Sequence, residues 1–317
     1  MAEWLYEAGI GEARAALVAA GRIVEARLER PGGLLIGTVF EARFAERISA
    51  TLARVEGQGG AAVMERVPAG LSLGARLMVE VVRELIPEPG RPKLPKVIAT
   101  SADPRAGDTL LARCQSSGVP VRVVRAHEPD LFEAAGWSEV LDEAITGEIS
   151  FKEGTLRLSP TPAMTLFDVD GAGAAAPLAV AAATAVAEAI VRHDVGGSIG
   201  IDFPTLASKA ERLAVAEAID KGLHLPFERT AVNGFGFLQV VRPRPRASVP
   251  ELLRADTVKA EALALLRSIE RTPPPVPANQ STSPAVAAWL KNHPTLVAEL
   301  SRRTGVAIRI RETHGQG

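Results

Sequence analysis

The sequence predicts an α/β fold, segregated enough to be called α+β, with a small β-barrel inserted ahead of its main part. Three observations predict it. Short strand-like runs separated by glycines fill residues 34–92. Strand-like and helix-like segments alternate from about residue 93. An alanine-rich segment at 174–193 lies between two strands that each end in aspartate. Glycine-separated strands suit a barrel of the oligonucleotide-binding type, and strand–helix–strand alternation suits a parallel crossover.

Taken in order, residues 4–8 read as a strand, 11–20 as a short helix and 22–28 as a strand, with Pro31-Gly32-Gly33 a turn. The β-like runs are 35–44, 47–55, 61–67 and 75–86, and 88–92 is a loop. Then follow a strand at 96–100, a helix at 107–117, a strand at 119–124, helices at 129–135 and 138–146, and a hairpin of 148–152 with 155–158 turning at Glu153-Gly154. The crossover comprises a strand at 164–170, the helix at 174–193 with Pro177 in its first turns, and a strand at 198–203. A charged helix (206–221), an apolar stretch (235–241) and the proline-spaced strip Arg242-Pro243-Arg244-Pro245-Arg246 come next. The end reads as a helix at 249–271, a stiff proline-rich linker at 272–283, a helix at 284–304 and a strand at 306–311.

With 317 residues and 47% hydrophobic content, the chain can bury cores for two or three domains. No apolar run reaches the ~20 residues of a membrane span, so no membrane partner is expected. Residues 1–4 lack the basic flank of a secretory signal, and a cytoplasmic location is the expectation. Cys114 is the only cysteine, which excludes an intramolecular disulfide and any multi-cysteine zinc site. Its helix marks it as a small buried apolar residue. A net charge of −1 gives no global attraction to nucleic acid, and 4% aromatics limit base stacking.

Asp168, Asp170 and Asp202 carry the chemistry. Positions two apart in a strand share a face, which puts the Asp168 and Asp170 Cβ atoms roughly 6–7 Å apart. A right-handed parallel crossover brings Asp202 to the same sheet edge. Three gathered carboxylates repel one another unless a divalent cation lies among them. A competing reading uses Gly171-Ala172-Gly173, which fits the dinucleotide pattern G-x-G-x-x-A between strand and helix, and makes the chain an NAD-binding oxidoreductase. Against it, Asp168 and Asp170 crowd the turn where a pyrophosphate would lie.

Thr161-Pro162-Ala163-Met164-Thr165-Leu166-Phe167-Asp168-Val169-Asp170 resembles the catalytic strand of the ribonuclease E/G family, thr-x-ala-leu-x-ala-ile-asp-val-asn. Arg192-His193-Asp194-Val195-Gly196-Gly197-Ser198-Ile199-Gly200-Ile201-Asp202-Phe203 is similar to its next block, arg-x-x-asp-x-gly-gly-x-ile-x-ile-asp-phe. Weaker likenesses link residues 235–244 to phe-gly-leu-x-glu-x-x-arg-x-arg, 21–31 to the opening strand and 262–270 to a C-terminal helix. The resemblance implies a ribonuclease H-like core (1–33 and 93–158) interrupted by an S1/OB-type barrel (34–92). A DNase I-like catalytic βαβ domain (159–248) and a small C-terminal α/β domain (249–317) follow.

The resemblance implies a Mg²⁺-dependent endoribonuclease acting on single-stranded RNA, with Mn²⁺ able to stand in. Asp168 and Asp202 fall on the metal-binding carboxylates. Asp170 falls where the family carries asparagine, and either joins the metal or is held protonated. Arg242, Arg244, Lys209 and Arg212 are candidate phosphate contacts, and Phe235, Phe40 and Phe44 candidate stacking platforms. The family's zinc-link cysteines are absent and its 5′-end-reading segment is deleted, so a homodimer would have to form without zinc. A catalytically inactive RNA-binding scaffold of the same ancestry is the alternative.

Overall fold

The computed structural model describes residues 2–88, 90 and 92–313; Pro89 and Arg91 of the loop expected at 88–92 lie outside the described residues. The chain opens with three antiparallel strands, β1 (Glu3–Ala8), β2 (Ala13–Ala19) and β3 (Arg22–Glu29). β2 corrects the helix expected at 11–20. Its alanines favour a helix intrinsically, but antiparallel partners on both sides and burial of Ala15 and Ala16 override that preference.

The barrel contains β4 (Val39–Arg47), β5 (Leu52–Gly57), β6 (Gly60–Glu65), β7 (Arg76–Arg83) and β8 (Lys96–Ala99), closed in the order β4-β5-β6-β8-β7. Its fifth strand therefore comes from beyond residue 92, where the barrel was expected to end. Helix α1 (Leu110–Ser116) leads to β9 (Val121–Val123), which lies parallel to β1 and completes the sheet β3-β2-β1-β9. Because that sheet takes strands from both sides of the barrel, the barrel is an insertion. Helices α2 (Leu131–Ala134) and α3 (Trp137–Thr146) follow.

The second sheet contains β10 (Glu148–Phe151), β11 (Gly154–Pro160), β12 (Thr165–Gly171), β13 (Gly197–Asp202), β14 (Glu228–Arg229) and β15 (Phe237–Arg242), in the order β10-β11-β12-β13-β15-β14. The hairpin β10–β11 pairs with β12, so it belongs to this sheet rather than to the segment ending at 158. Between β12 and β13 runs α4 (Ala175–Arg192); between β13 and β14 runs α5 (Lys209–Gly222), opened by a reciprocal Ser208–Glu211 capping box. Only β12 and β13 are parallel; every other pairing in the sheet is antiparallel.

The long helices expected at 249–271 and 284–304 are each two. Asp256 accepts from the Lys259 N–H and so starts a new helix, dividing α6 (Val249–Arg254) from α7 (Thr257–Glu270). Pro294 cannot continue a helix and opens its own, dividing α8 (Pro284–Lys291) from α9 (Pro294–Thr304). The proline-rich linker ends in a strand, β16 (Asn279–Thr282), parallel to β17 (Arg309–Glu312). Val249 and Leu253 of α6 pack with Leu5, Trp137 and Val140, so α6 joins the first sheet's core instead of the C-terminal one.

Helix α4 is long and apolar enough by length and composition to cross a membrane, with mean hydropathy 1.5, yet here it is a core helix. Leu178, Ala182, Val186 and Ile190 recur at helical spacing, all buried against Phe167, Val169, Ile199 and Ile201 of the sheet. Buried ion pairs fasten α7 to the first sheet. Glu7 binds Arg14 at 2.5 Å and Arg271 at 2.5 Å, and Glu12 binds Arg30 and Arg267. Such pairs contribute little net stability, but losing one partner strands a buried charge.

His193 follows α4 and is fully buried, its Nε2 3.0 Å from Glu143 Oε2. Burial lowers its pKa, and the hydrogen bond to Glu143 only partly offsets that. It is held neutral, not as a cation at the helix end. Glu143 is lowered too: burial opposes its ionisation, but the bonds from His193 and Arg192 outweigh that.

Phe167 lies directly behind the acidic row, so Phe167→Ala should cost about 3–5 kcal/mol, read from the shift of the urea midpoint. Because the folded His193 pKa lies below the unfolded value, its contribution is present above pH ~6.5 and lost as pH falls. Urea unfolding should therefore show stability declining below pH ~6.5, a decline reduced in His193→Gln; an equal slope in that variant would rule His193 out as its source.

Candidate active site on the open face of the second sheet

In β12, Thr165, Phe167 and Val169 face α4 and are buried, which turns Leu166, Asp168 and Asp170 to the other face. In β13, Ile199 and Ile201 face inward, which turns Asp202 outward. The parallel register sets Asp168 directly beside Asp202. Adjacent strands lie ~4.8 Å apart, so the two carboxylates share one face within reach of a single ion. Extending the register gives a row across five strands: Glu148, Arg157, Asp168, Asp202 and Phe237. Asp170, exposed, lies one step further along β12 opposite Thr155.

Asp194 is bound by Arg27 and Arg246, and Glu143 by Arg192, whereas among the described residues no ion pair engages Asp168, Asp170 or Asp202. Among the described residues, too, no three His, Cys, Asp or Glu side chains form a ready metal-holding group. Two outward carboxylates side by side still fit magnesium, which takes one or two carboxylates and fills its octahedron with water and substrate oxygens.

Phe235 lies two residues before Phe237, the cross-strand partner of Asp202. It is 84% exposed on a loop fastened from below. Asn233 Oδ1 accepts from the Phe235 and Phe237 N–H groups at 2.9 and 3.0 Å, and Gly236 O accepts from Phe203 N–H at 3.2 Å. Gly236 has φ +96°, and a Cβ there would stand 2.2 Å from Phe203 O, so only glycine permits this approach. Lys209 is exposed in the first turn of α5, just after β13. Arg212 instead turns back to donate to Leu206 O at 3.0 Å.

Other sequence-predicted residues lie elsewhere. Arg242 pairs with Gly197, five positions along β13 from Asp202 and so about 16 Å away at ~3.3 Å per residue. It donates to Val195 O at 3.2 Å, while Arg244 binds Glu251. The arginine strip thus sits at the opposite edge from the aspartates. Phe40 and Phe44 are 4% and 1% exposed in the barrel core, which corrects their reading as platforms.

Gly171 and Gly173 do not make a dinucleotide crevice. A Cβ at Gly171 would meet Leu178 Cδ1 at 2.6 Å and Glu153 O at 2.8 Å, so this glycine serves strand–helix packing. The single parallel pair is flanked by antiparallel strands on both sides, and the repeated parallel crossovers of a dinucleotide fold are missing from this sheet. Two functional candidates escaped the sequence reading. Arg157 is exposed opposite Asp168, and Lys152 is exposed at the tip of the β10–β11 hairpin. Counting outward from the Glu153-Gly154 turn pairs Arg157 with Glu148, but its place opposite Asp168 takes the β11–β12 register as well.

A model of the ribonuclease E/G family matches residues 97–245, from β8 to just past β15, and includes all three aspartates. No curated protein matches the chain. The matched segment contains the whole crossover and its acidic row, and this match supports membership of the ribonuclease E/G family.

Proposed function

We propose that the protein is a Mg²⁺-dependent endoribonuclease that hydrolyses single-stranded RNA on the open face of the second sheet. The observation that carries this reading is the Asp168–Asp202 register on the open face, engaged by no ion pair among the described residues, inside the family-matched segment. Asp168 and Asp202 would hold the metal. Bound there, a divalent ion supplies Lewis acidity toward a phosphate oxygen and lowers the pKa of its water.

The remaining steps belong to side chains. Asp170, on the same face but in the next row, offers oxygens that can only orient an attacking water by accepting from it. Phe235 offers a rigid face for an unstacked base, which favours single strands over a duplex. We read the inserted five-stranded barrel as the S1/OB-type module and the first sheet with α1–α3 as the ribonuclease H-like part; the strand order of each supports this.

Loss of either metal carboxylate removes several kcal/mol of charge stabilisation, so Asp168→Asn and Asp202→Asn should each lower cleavage of an unstructured RNA about 10³-fold. Asp170→Asn should stay within about tenfold of the parent, because it touches the water rather than the metal. A drop in Asp170→Asn as deep as in the other two would make Asp170 a third ligand. That no three acidic or other metal-binding side chains gather among the described residues favours a second reading, RNA binding without cleavage. Mg²⁺-independent binding with no cleavage above the Asp168→Asn, Asp202→Asn double variant would establish that instead.

A further inference from the structure

Arg157 is the cation of the acidic row. It stands across β11–β12 from Asp168 and across β10–β11 from Glu148. Yet among the described residues it forms neither an ion pair nor a side-chain hydrogen bond, and it is exposed. Four other arginines in or next to this sheet are claimed by carboxylates. Arg192 is held by Glu143, Arg229 by Asp220, Arg244 by Glu251 and Arg246 by Asp194. An unclaimed guanidinium one strand from Asp168 and two strands, roughly 10 Å, from Asp202 is placed to grip a neighbouring anionic group.

On the opposite side of the two aspartates the row ends in Phe237, whose ring covers Gly200, with Phe235 held outward beside it. A cation on one flank and an aromatic on the other define a line across the strands. We propose that single-stranded RNA crosses the sheet along this row, perpendicular to the strands, with Arg157 holding the phosphate next to the scissile one and a base stacked on Phe235. The proposal rests on the ribonuclease reading for which phosphate lies over Asp168 and Asp202. It adds the direction of the strand and a contact that family resemblance does not supply.

The test is the salt dependence of binding, measured by fluorescence anisotropy of a labelled unstructured oligoribonucleotide with the full chain in Mg²⁺. Each reading is taken before the signal decays; the decay itself reports cleavage. Removing one phosphate contact should lower the steepness of log Kd against log salt by about 0.7 in Arg157→Gln. Arg157→Lys should keep the parent slope. Phe235→Ala should weaken binding about 5–150-fold, the range for loss of one stacked base, without changing the slope. Arg122→Gln, at an exposed position on β9 of the first sheet, should change neither.

An unchanged slope in Arg157→Gln, tighter binding in that variant, or an equal change in Arg122→Gln overturns the proposal, as does failure of the parent to bind. If the slope falls as expected but no chain cleaves, the track stands and the nuclease reading fails. If the parent cleaves with the slope unmoved, the track alone fails.

Discussion

The parallel pairing of β12 with β13 is the constraint on which everything else in the candidate site depends. Parallel neighbours need a crossover, and α4 supplies it by burying an alanine-rich face whose small side chains let the helix lie close to the sheet. The register that results, Phe167 beside Ile201 and Asp168 beside Asp202, sorts adjacent residues to opposite faces. Apolar partners go to the core and carboxylates go to water. A slip of one residue would bury the acids and expose the phenylalanine, so core packing and site geometry are specified by the same contacts.

Charge is distributed with a matching division of labour. Buried acids at the junctions are all matched: Glu7 and Glu12 tie α7 to the first sheet, and the Glu143–His193–Arg192 cluster ties α3 to α4. Those groups hold elements together. Among the described residues the aspartates of the open row form no ion pair, so a cation bound from solution would relieve their mutual repulsion. Cations that could meet an RNA backbone (Lys152, Arg157 and Lys209) stand around them, exposed. The arginine-rich strip after β15 does the reverse, folding into the structure at the far edge.

Much of the central crossover was legible in the sequence, because its signals are local. Strand alternation around Asp168 is one, Pro177 and Gly196-Gly197 bounding α4 are others, and the paired family blocks agree with both. What was illegible depended on partners distant in the chain. Residues 13–19 have helical composition and became a strand because β1 and β3 flank them. The fifth barrel strand and the β10–β11 hairpin lie next to the segments they were expected to join, yet pair with others. Arg242 and Arg244 looked close to Asp202 in sequence blocks, but an antiparallel β15 carries them to the other end of β13. Arg157 needed the register across three strands before its place beside Asp168 emerged.

The most direct measurement is a metal titration of the full chain, following bound Mn²⁺ by its electron paramagnetic resonance. One Mn²⁺ per chain, displaced by Mg²⁺ and lost in both Asp168→Asn and Asp202→Asn while the fold persists by circular dichroism, is the expected result. Undiminished Mn²⁺ binding in either single variant would contradict a shared site between these two strands.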